Sequence, residues 1–222
     1  MINLVLLGAP GSGKGTQAAM LAKELDITAI STGDALRKEV EAQSEIGKLA
    51  KSFMESGKLV PDEVVIDIVK NRVGQEDCKK GFILDGFPRN LNQANMLEKT
   101  LDSIGKKILL AIDFQVEDEI VIKRISGRYF CKKCGTIYNH HFKHPKNAGI
   151  CDECNSTEFD SRNDDKEETV RNRLKVYHET TAGLVEFYRK NNLIYSLDAL
   201  KNSALLFEEV LAVVQNTNKT KL

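Results

Sequence analysis

The chain has 222 residues, 41% of them hydrophobic and 29% charged, which is the composition of a globular protein with a sizeable core and excludes collagen-like, disordered and small disulfide-stapled classes. Lys plus Arg and Asp plus Glu number 32 each, so no global field draws the chain onto nucleic acid or an anionic membrane, and any anion must be gripped by a local cluster. No apolar run approaches the roughly 20 residues that cross a bilayer.

Ile2 to Leu7 is a continuous apolar run and reads as a strand. It begins too early to leave room for a targeting presequence, and the odd cysteine count argues against a disulfide framework; both point to the cytoplasm. The glycine-rich loop Gly8 to Gly13 follows. Lys14 to Glu24 then carries Ala18, Leu21, Ala22 and Leu25 at helical spacing. After the short piece Thr28 to Ser31, helices are predicted over Gly33 to Val40, Glu45 to Ser56 and Pro61 to Arg72, with Pro61 suited to a helix start. Phe82 to Leu84 reads as a second buried strand, Asn92 to Ser103 as a helix and Ile108 to Phe114 as a third strand. This alternation predicts an α/β fold in which helices cover both faces of a parallel sheet and ligands bind at the carboxyl ends of its strands.

Near Arg128 the texture changes. From there to about Phe159 the sequence is rich in Cys, Gly, Asn, His and Lys and lacks a helical period, which predicts a small inserted domain with short β pieces such as Thr136 to Tyr138. A helix resumes over Glu167 to Lys190, where Val170, Leu174, Tyr177, Leu184, Val185 and Tyr188 form an apolar stripe. Leu193 to Leu197 is the last strand and Ala204 to Val214 the last helix, with Asn216 to Leu222 expected to fray.

Two motifs carry chemistry by themselves. Gly8-Ala9-Pro10-Gly11-Ser12-Gly13-Lys14 fits G-x-x-x-x-G-K between a strand and a helix, so backbone N–H groups can converge on phosphate oxygens while Lys14 brings a mobile cation. Gly15 intervenes before the hydroxyl of Thr16, which argues against a GTPase or motor in which a hydroxyl directly after the lysine ligates magnesium. Cys131-x-x-Cys134 and Cys151-x-x-Cys154, separated by sixteen residues, match a four-thiolate tetrahedral site. Zinc suits it because it is redox-silent, with iron in the same geometry as the alternative. Four ligands leave no open position, so the ion is structural. His140, His141 and His144 are alternative ligands set aside because the cysteine set is complete, and Cys78 stands outside it.

Five motifs in order, namely Gly8 to Thr16 with Gln17, Ser31-Thr32-Gly33-Asp34 with Arg37, Gly57-Lys58-Leu59-Val60, Asp85-Gly86-Phe87-Pro88-Arg89 and Gln93, resemble adenylate kinases with a long lid. The resemblance runs from the first strand to the helix near Tyr188. It implies reversible phosphoryl transfer from magnesium ATP to AMP, giving two ADP, on a P-loop core (residues 1–31, 73–127 and 163–222) with a helical AMP-binding subdomain (32–72) and a zinc-binding lid (128–162). It also implies a monomer, small-molecule substrates, and neither nucleic acid nor membrane as partner.

By the same resemblance Gly11, Ser12, Gly13, Lys14, Gly15, Thr16, Arg128, Ile137 and Tyr138 contact ATP, with Lys201 as a further neighbour. Thr32, Arg37, Lys58, Leu59, Val60, Gly86, Phe87, Pro88, Arg89, Gln93, Arg162 and Arg173 contact AMP. Gln93 suits adenine because one amide offers both an acceptor and donors. Asp85, at the end of a buried strand, is expected to hold magnesium through water. Phosphoryl transfer needs alignment and charge balance rather than a nucleophile, so the catalytic set is Lys14, Arg89, Arg124, Arg128, Arg162 and Arg173, with Asp164 and Asp165 orienting arginines. Lid and AMP subdomain are expected to close over the nucleotides to exclude water. Tyr129 stands where many relatives have a second arginine, and Asn90 follows Arg89 as another departure. The rival readings are a kinase of UMP, CMP or GMP, and a zinc-ribbon NTPase that binds nucleic acid.

Overall fold

A computed structural model describes residues 1–220. Strand β1 (Ile2–Gly8) leads into α1 (Lys14–Leu25), β2 (Thr28–Ser31), and the helices α2 (Thr32–Glu41), α3 (Glu45–Glu55) and α4 (Asp62–Val73). Then come β3 (Gly81–Asp85), α5 (Leu91–Ser103), β4 (Leu110–Gln115) and α6 (Asp118–Ser126). The insert holds β5 (Arg128–Cys131), β6 (Ile137–Asn139) and β7 (Phe159–Asp160), and the chain finishes with α7 (Glu167–Val176), α8 (Gly183–Lys190), β8 (Ile194–Asp198) and α9 (Ser203–Thr220). The main sheet is parallel in the order β2-β3-β1-β4-β8, with Leu4 level with Ile83 on one side and Leu110 on the other.

Alternation along β1 explains the two layers. Val5 and Leu7 point to one face, where Phe82, Leu84 and Ala111 meet Val69, Leu97, Leu184 and Tyr188 from α4, α5 and α8. Leu4 and Leu6 point to the other, against Leu21 of α1 and Val210 and Val214 of α9. Each such side chain contributes roughly 1.5–3 kcal/mol by leaving water. The insert is a three-stranded antiparallel sheet, β6-β5-β7, whose core is Tyr129, Tyr138 and Phe159 beside Cys131 and Cys151.

Helix starts follow side-chain chemistry. Ser31 accepts from the Asp34 N–H at the head of α2, Ser44 from Gly47 at α3, and Asn90 from Gln93 at α5. By contrast, α1 starts at Gly13, left-handed at φ 99° and with no side chain to cap the helix.

Three expectations need correction. The last helix does not end at Val214: it continues to Thr220, so Asn216 to Thr220 are helical rather than frayed, with Thr217 and Thr220 bonding back to carbonyls of the preceding turn, while residues 221–222 lie outside the described residues. The predicted helix 167–190 is broken by a π-turn at Tyr177–Thr181, where Thr180 and Thr181 turn their hydroxyls onto main-chain carbonyls. Helix α6 was not predicted at all, although Asp118 and Glu119 in its first turn and Lys123 and Arg124 in its last suit the helix dipole.

Candidate active site

The phosphate loop lies at the carboxyl end of β1, the central strand. Its turn is forced by glycine at φ 133° (Gly8), 75° (Gly11) and 99° (Gly13). A Cβ at Gly11 would sit 2.6 Å from Ile125 Cγ1, so α6 packs directly on the loop. Lys14 folds back over it: Nζ donates to the carbonyls of Gly8 and Ala9 at 2.8 and 2.7 Å and to Ser12 Oγ at 3.3 Å. Burial pushes the Lys14 ammonium down to about 8, partly offset by the Asp85 carboxylate. Burial pushes Asp85 the other way, up from the usual carboxylate range, against the pull of Lys14 and Arg89. Asp85 ends β3 and faces Gly15, whose Cβ would lie 3.2 Å from Oδ2, a tight contact that glycine avoids. Thr16 sits exposed one turn into α1.

A cavity opens beside the loop, lined by Thr32, Arg37, Lys58, Leu59, Val60, Arg89, Gln93 and Arg173 from four separate segments. Eight of the residues singled out for one nucleotide therefore share one cavity, while Gly86, Phe87, Pro88 and Arg162 are not among its lining residues. Leu36, Met54 and Val65 add apolar walls that the motifs did not include; their helical spacing was the only signal for them. Thr32 Oγ1 donates to the Gly86 carbonyl at 3.0 Å and Arg89 Nε to the same oxygen at 2.7 Å, which pins the turn 86–89. Phe87 beneath it is fully buried, and the Phe87–Pro88 peptide is cis. Thr181 Oγ1, from the π-turn, donates to the Arg89 carbonyl at 2.7 Å. Sequence periodicity could not have found that residue.

Guanidinium groups crowd the space between loop, cavity and lid. Arg173 Nη1 and Arg37 Nη1 lie 3.0 and 3.8 Å from Asp164 Oδ2. Asp34 Oδ1 takes Arg37 at 2.5 Å and Arg162 at 3.4 Å. Arg128 is held bidentately by Asp165. Burial depresses Arg89 and Arg162 to about 10 each, and neighbouring arginines add to the effect; Arg173 shifts in the same direction for the same reasons. So many like charges held close together, with too few carboxylates to balance them, make a site built for a polyanion. Arg124 stands apart, donating to the Ala199 carbonyl at 3.1 Å. Lys201 pairs with Glu209 at 2.6 Å.

In the lid, Ile137 is exposed and lines a cleft shared with Arg37, Arg128, Arg162 and Asp164. Tyr138 does not offer its ring to that cleft. The ring is wholly buried; its hydroxyl donates to Cys151 Sγ at 3.4 Å and accepts from the Asp152 N–H at 2.8 Å, and its backbone pairs with Tyr129 across β5 and β6, so the expectation that Tyr138 contacts ATP is corrected: strand alternation turns it into the core of the insert. The sulfurs of Cys131, Cys134, Cys151 and Cys154 all lie within 4.8 Å of one another, with 3.5 Å for the pairs Cys131–Cys154 and Cys134–Cys151. Sulfurs about 2.3 Å from a tetrahedral zinc ion stand about 3.8 Å apart, so the residues present fit such an ion. Cys78 is buried far from them, donating to the Arg72 carbonyl at 3.3 Å, and burial raises its thiol.

The family sequence model described as Adenylate kinase matches residues 6–193. The adenylate kinase of Caldicellulosiruptor saccharolyticus is 49% identical over 210 residues, covering 95% of this chain and 97% of its own. That of Archaeoglobus fulgidus is 47% identical over 214 residues, covering 96% and 98%. That of Geotalea daltonii is 45% identical over 214 residues, covering 96% and 100%. A phosphate loop, a cavity walled by the quoted motifs and relatives that match nearly end to end lead to one conclusion: the chain belongs to the adenylate kinase family of phosphotransferases.

Proposed function

We propose that this protein transfers the terminal phosphoryl group of ATP reversibly to AMP, giving two ADP. The observation that carries this reading is one set of guanidinium groups standing between a phosphate loop and a second, separate cavity. Two polyanions brought end to end there would have their facing phosphates among Arg37, Arg89, Arg162 and Arg173, with Asp34 and Asp164 holding the arginines in place.

On the donor side, the N–H groups of Gly11 to Thr16 and the Lys14 ammonium would take the phosphates of ATP, while Arg128 and Ile137 cover it from the lid. A bound phosphate replaces the Gly8 and Ala9 carbonyls as partner of Lys14 and restores its pKa, so the cation is held ready rather than consumed. On the acceptor side, Leu36, Met54 and Val65 sandwich the base, Lys58 to Val60 and Gly86 to Pro88 frame it, and Gln93 reads its edge. Asp85 would hold magnesium through water beside the loop, where the ion when bound neutralises charge on the transferring phosphates. The four lid cysteines would hold one structural zinc ion, which on this scale supplies on the order of 10 kcal/mol to a unit with almost no core of its own. Core, AMP subdomain and lid divide at residues 32–72 and 128–162, and the two smaller parts close over both nucleotides and exclude water.

A cytoplasmic monomer acting on small molecules fits the balanced charge, and among the described residues no helix is long and apolar enough to cross a membrane. The test is ADP formation from ATP and AMP by the intact protein, with UMP, CMP and GMP as competing acceptors. Magnesium-dependent ADP production with AMP, lost in Lys14→Ala, is the expected result. Preference for another monophosphate would overturn the assignment of the acceptor. Spin labels on lid and core whose separation ignores both nucleotides would overturn closure.

A further inference from the structure

Gln93 is 1% exposed and its amide is held at both ends. Oε1 accepts from the Arg89 main-chain N–H at 2.8 Å, and Nε2 donates to Asp62 Oδ1 at 2.7 Å. Asp62 begins α4, in a different segment, and is itself fixed by two more amides: Asn90 Nδ2 reaches Oδ1 at 2.9 Å and Asn92 Nδ2 reaches Oδ2 at 2.7 Å. Burial would raise the Asp62 carboxyl, but the donors from Asn92, Asn90 and Gln93 outweigh it and hold the group below the ordinary range. The carboxylate therefore stays ionised at neutral pH and has no proton to give.

Turning the Gln93 amide over would set its NH2 against the Arg89 N–H and its oxygen against an ionised carboxylate. Both contacts would be repulsive. The two bonds therefore fix which end of the amide is oxygen and which is nitrogen. An amide has two lone pairs and two N–H groups, so one of each remains for the cavity that Gln93 lines.

We propose that Asp62 is a positioning residue for nucleotide selection: with the Arg89 N–H it fixes the orientation of the Gln93 amide, and that orientation selects a 6-aminopurine over a 6-oxopurine monophosphate. This rests on the proposed function, with the acceptor base in the cavity. A 6-aminopurine edge presents an N–H donor beside a ring acceptor, whereas a 6-oxopurine edge presents an acceptor beside a ring N–H. A free glutamine could serve either edge by turning over, and a held one serves the edge it faces. Asn90, the departure noted after Arg89, has two parts in this: it caps α5 through the Gln93 N–H and holds Asp62.

The experiment measures kcat/KM for AMP and for IMP, with ATP as donor, in the intact protein and in Asp62→Asn. The introduced amide can donate to Oε1, so one of the two repulsions against the turned-over glutamine is removed and only the Arg89 N–H still opposes it. The AMP-to-IMP ratio is expected to fall at least tenfold, mainly through KM, with KM for ATP within twofold of wild type and Asp62→Glu recovering part of the ratio. An unchanged ratio in a variant with wild-type thermal midpoint and KM for ATP overturns the inference and leaves the AMP assignment standing. Failure of the unaltered protein to phosphorylate AMP overturns the proposed function instead. Should Asp62→Asn not fold, side-chain hydrogen exchange in the unaltered protein decides. The Gln93 ε-amide is expected to exchange at least tenfold more slowly than that of exposed Gln43, and equal rates overturn the proposal.

Discussion

Arg128 and Asp165 meet fork to fork at the root of the lid, with Nε 2.7 Å and Nη2 2.5 Å from the two carboxylate oxygens. Arg128 opens β5 and Asp165 lies in the turn before α7, so this one pair joins the chain entering the insert to the chain leaving it. Asp165→Asn removes the charge and one of the two acceptors. The expected cost is about 1.5–3 kcal/mol of stability, the range for hydrogen bonds to charged groups. A misplaced Arg128 should also lower kcat/KM for ATP by roughly tenfold to a hundredfold. Steady-state kinetics with ATP varied would check this, and an unchanged value would mean that the pair serves stability alone.

Burial pushes the Lys14 ammonium down to about 8 by disfavouring its charge. Below that pH it is protonated and ready for phosphate; above it, the free enzyme loses the cation. The expected profile of kcat/KM for ATP is flat up to about pH 8, then falls tenfold per pH unit. Lys14→Arg, whose guanidinium does not titrate in this range, should show no such limb. A wild-type profile flat to pH 10 would contradict the assignment.

One zinc ion per chain is expected by metal analysis of the purified protein. Stripping it with a chelator should open the insert to proteases between residues 132 and 158 while leaving the far-ultraviolet signal of the core nearly intact, because the lid core consists of a few rings and cysteines. Visible absorption from an iron–sulfur centre, or a lid equally resistant without metal, would count against zinc.

Gly47 lets α3 close directly onto the backbone of α2. A Cβ there would lie 2.0 Å from the Glu39 carbonyl oxygen and 2.7 Å from the Val40 nitrogen, both backbone atoms that cannot rotate aside. Gly47→Ala should therefore force α2 and α3 apart, at about 1–3 kcal/mol. Each kcal/mol lowers Tm by roughly 2–4 °C in a chain of this size. Calorimetry showing no change in Tm would refute the packing argument.

Much of the site was legible because its residues lie in contiguous motifs at strand ends: the glycine turn before Lys14, and Asp85 to Arg89 directly after the buried run Phe82 to Leu84. What could not be read depends on contacts distant in sequence. Asp62 looks like an ordinary first-turn acid of α4 until Asn90 and Gln93 fold against it. Thr181 looks like a poor helix residue until the π-turn aims it at the Arg89 carbonyl. Tyr138 and Ile137 are sequence neighbours, yet strand alternation sends one into the lid core and the other to the cleft. Helix α6 leaves a weak signal in the sequence because it spans only 9 residues and buries three of them, Val121, Ile122 and Ile125, too few to establish a helical period.

The strand order has a consequence for synthesis. β1 is flanked in the finished sheet by β3 and β4, both of which follow it in the chain, and the edge strand β8, which pairs with β4, arrives only at residues 194–198. The phosphate loop thus hangs from an apolar strand whose partners are translated after it, β3 at residues 81–85 and β4 at 110–115. Nascent chains stalled before β4 would carry a bare pairing edge, and demand for chaperone protection should be greatest there.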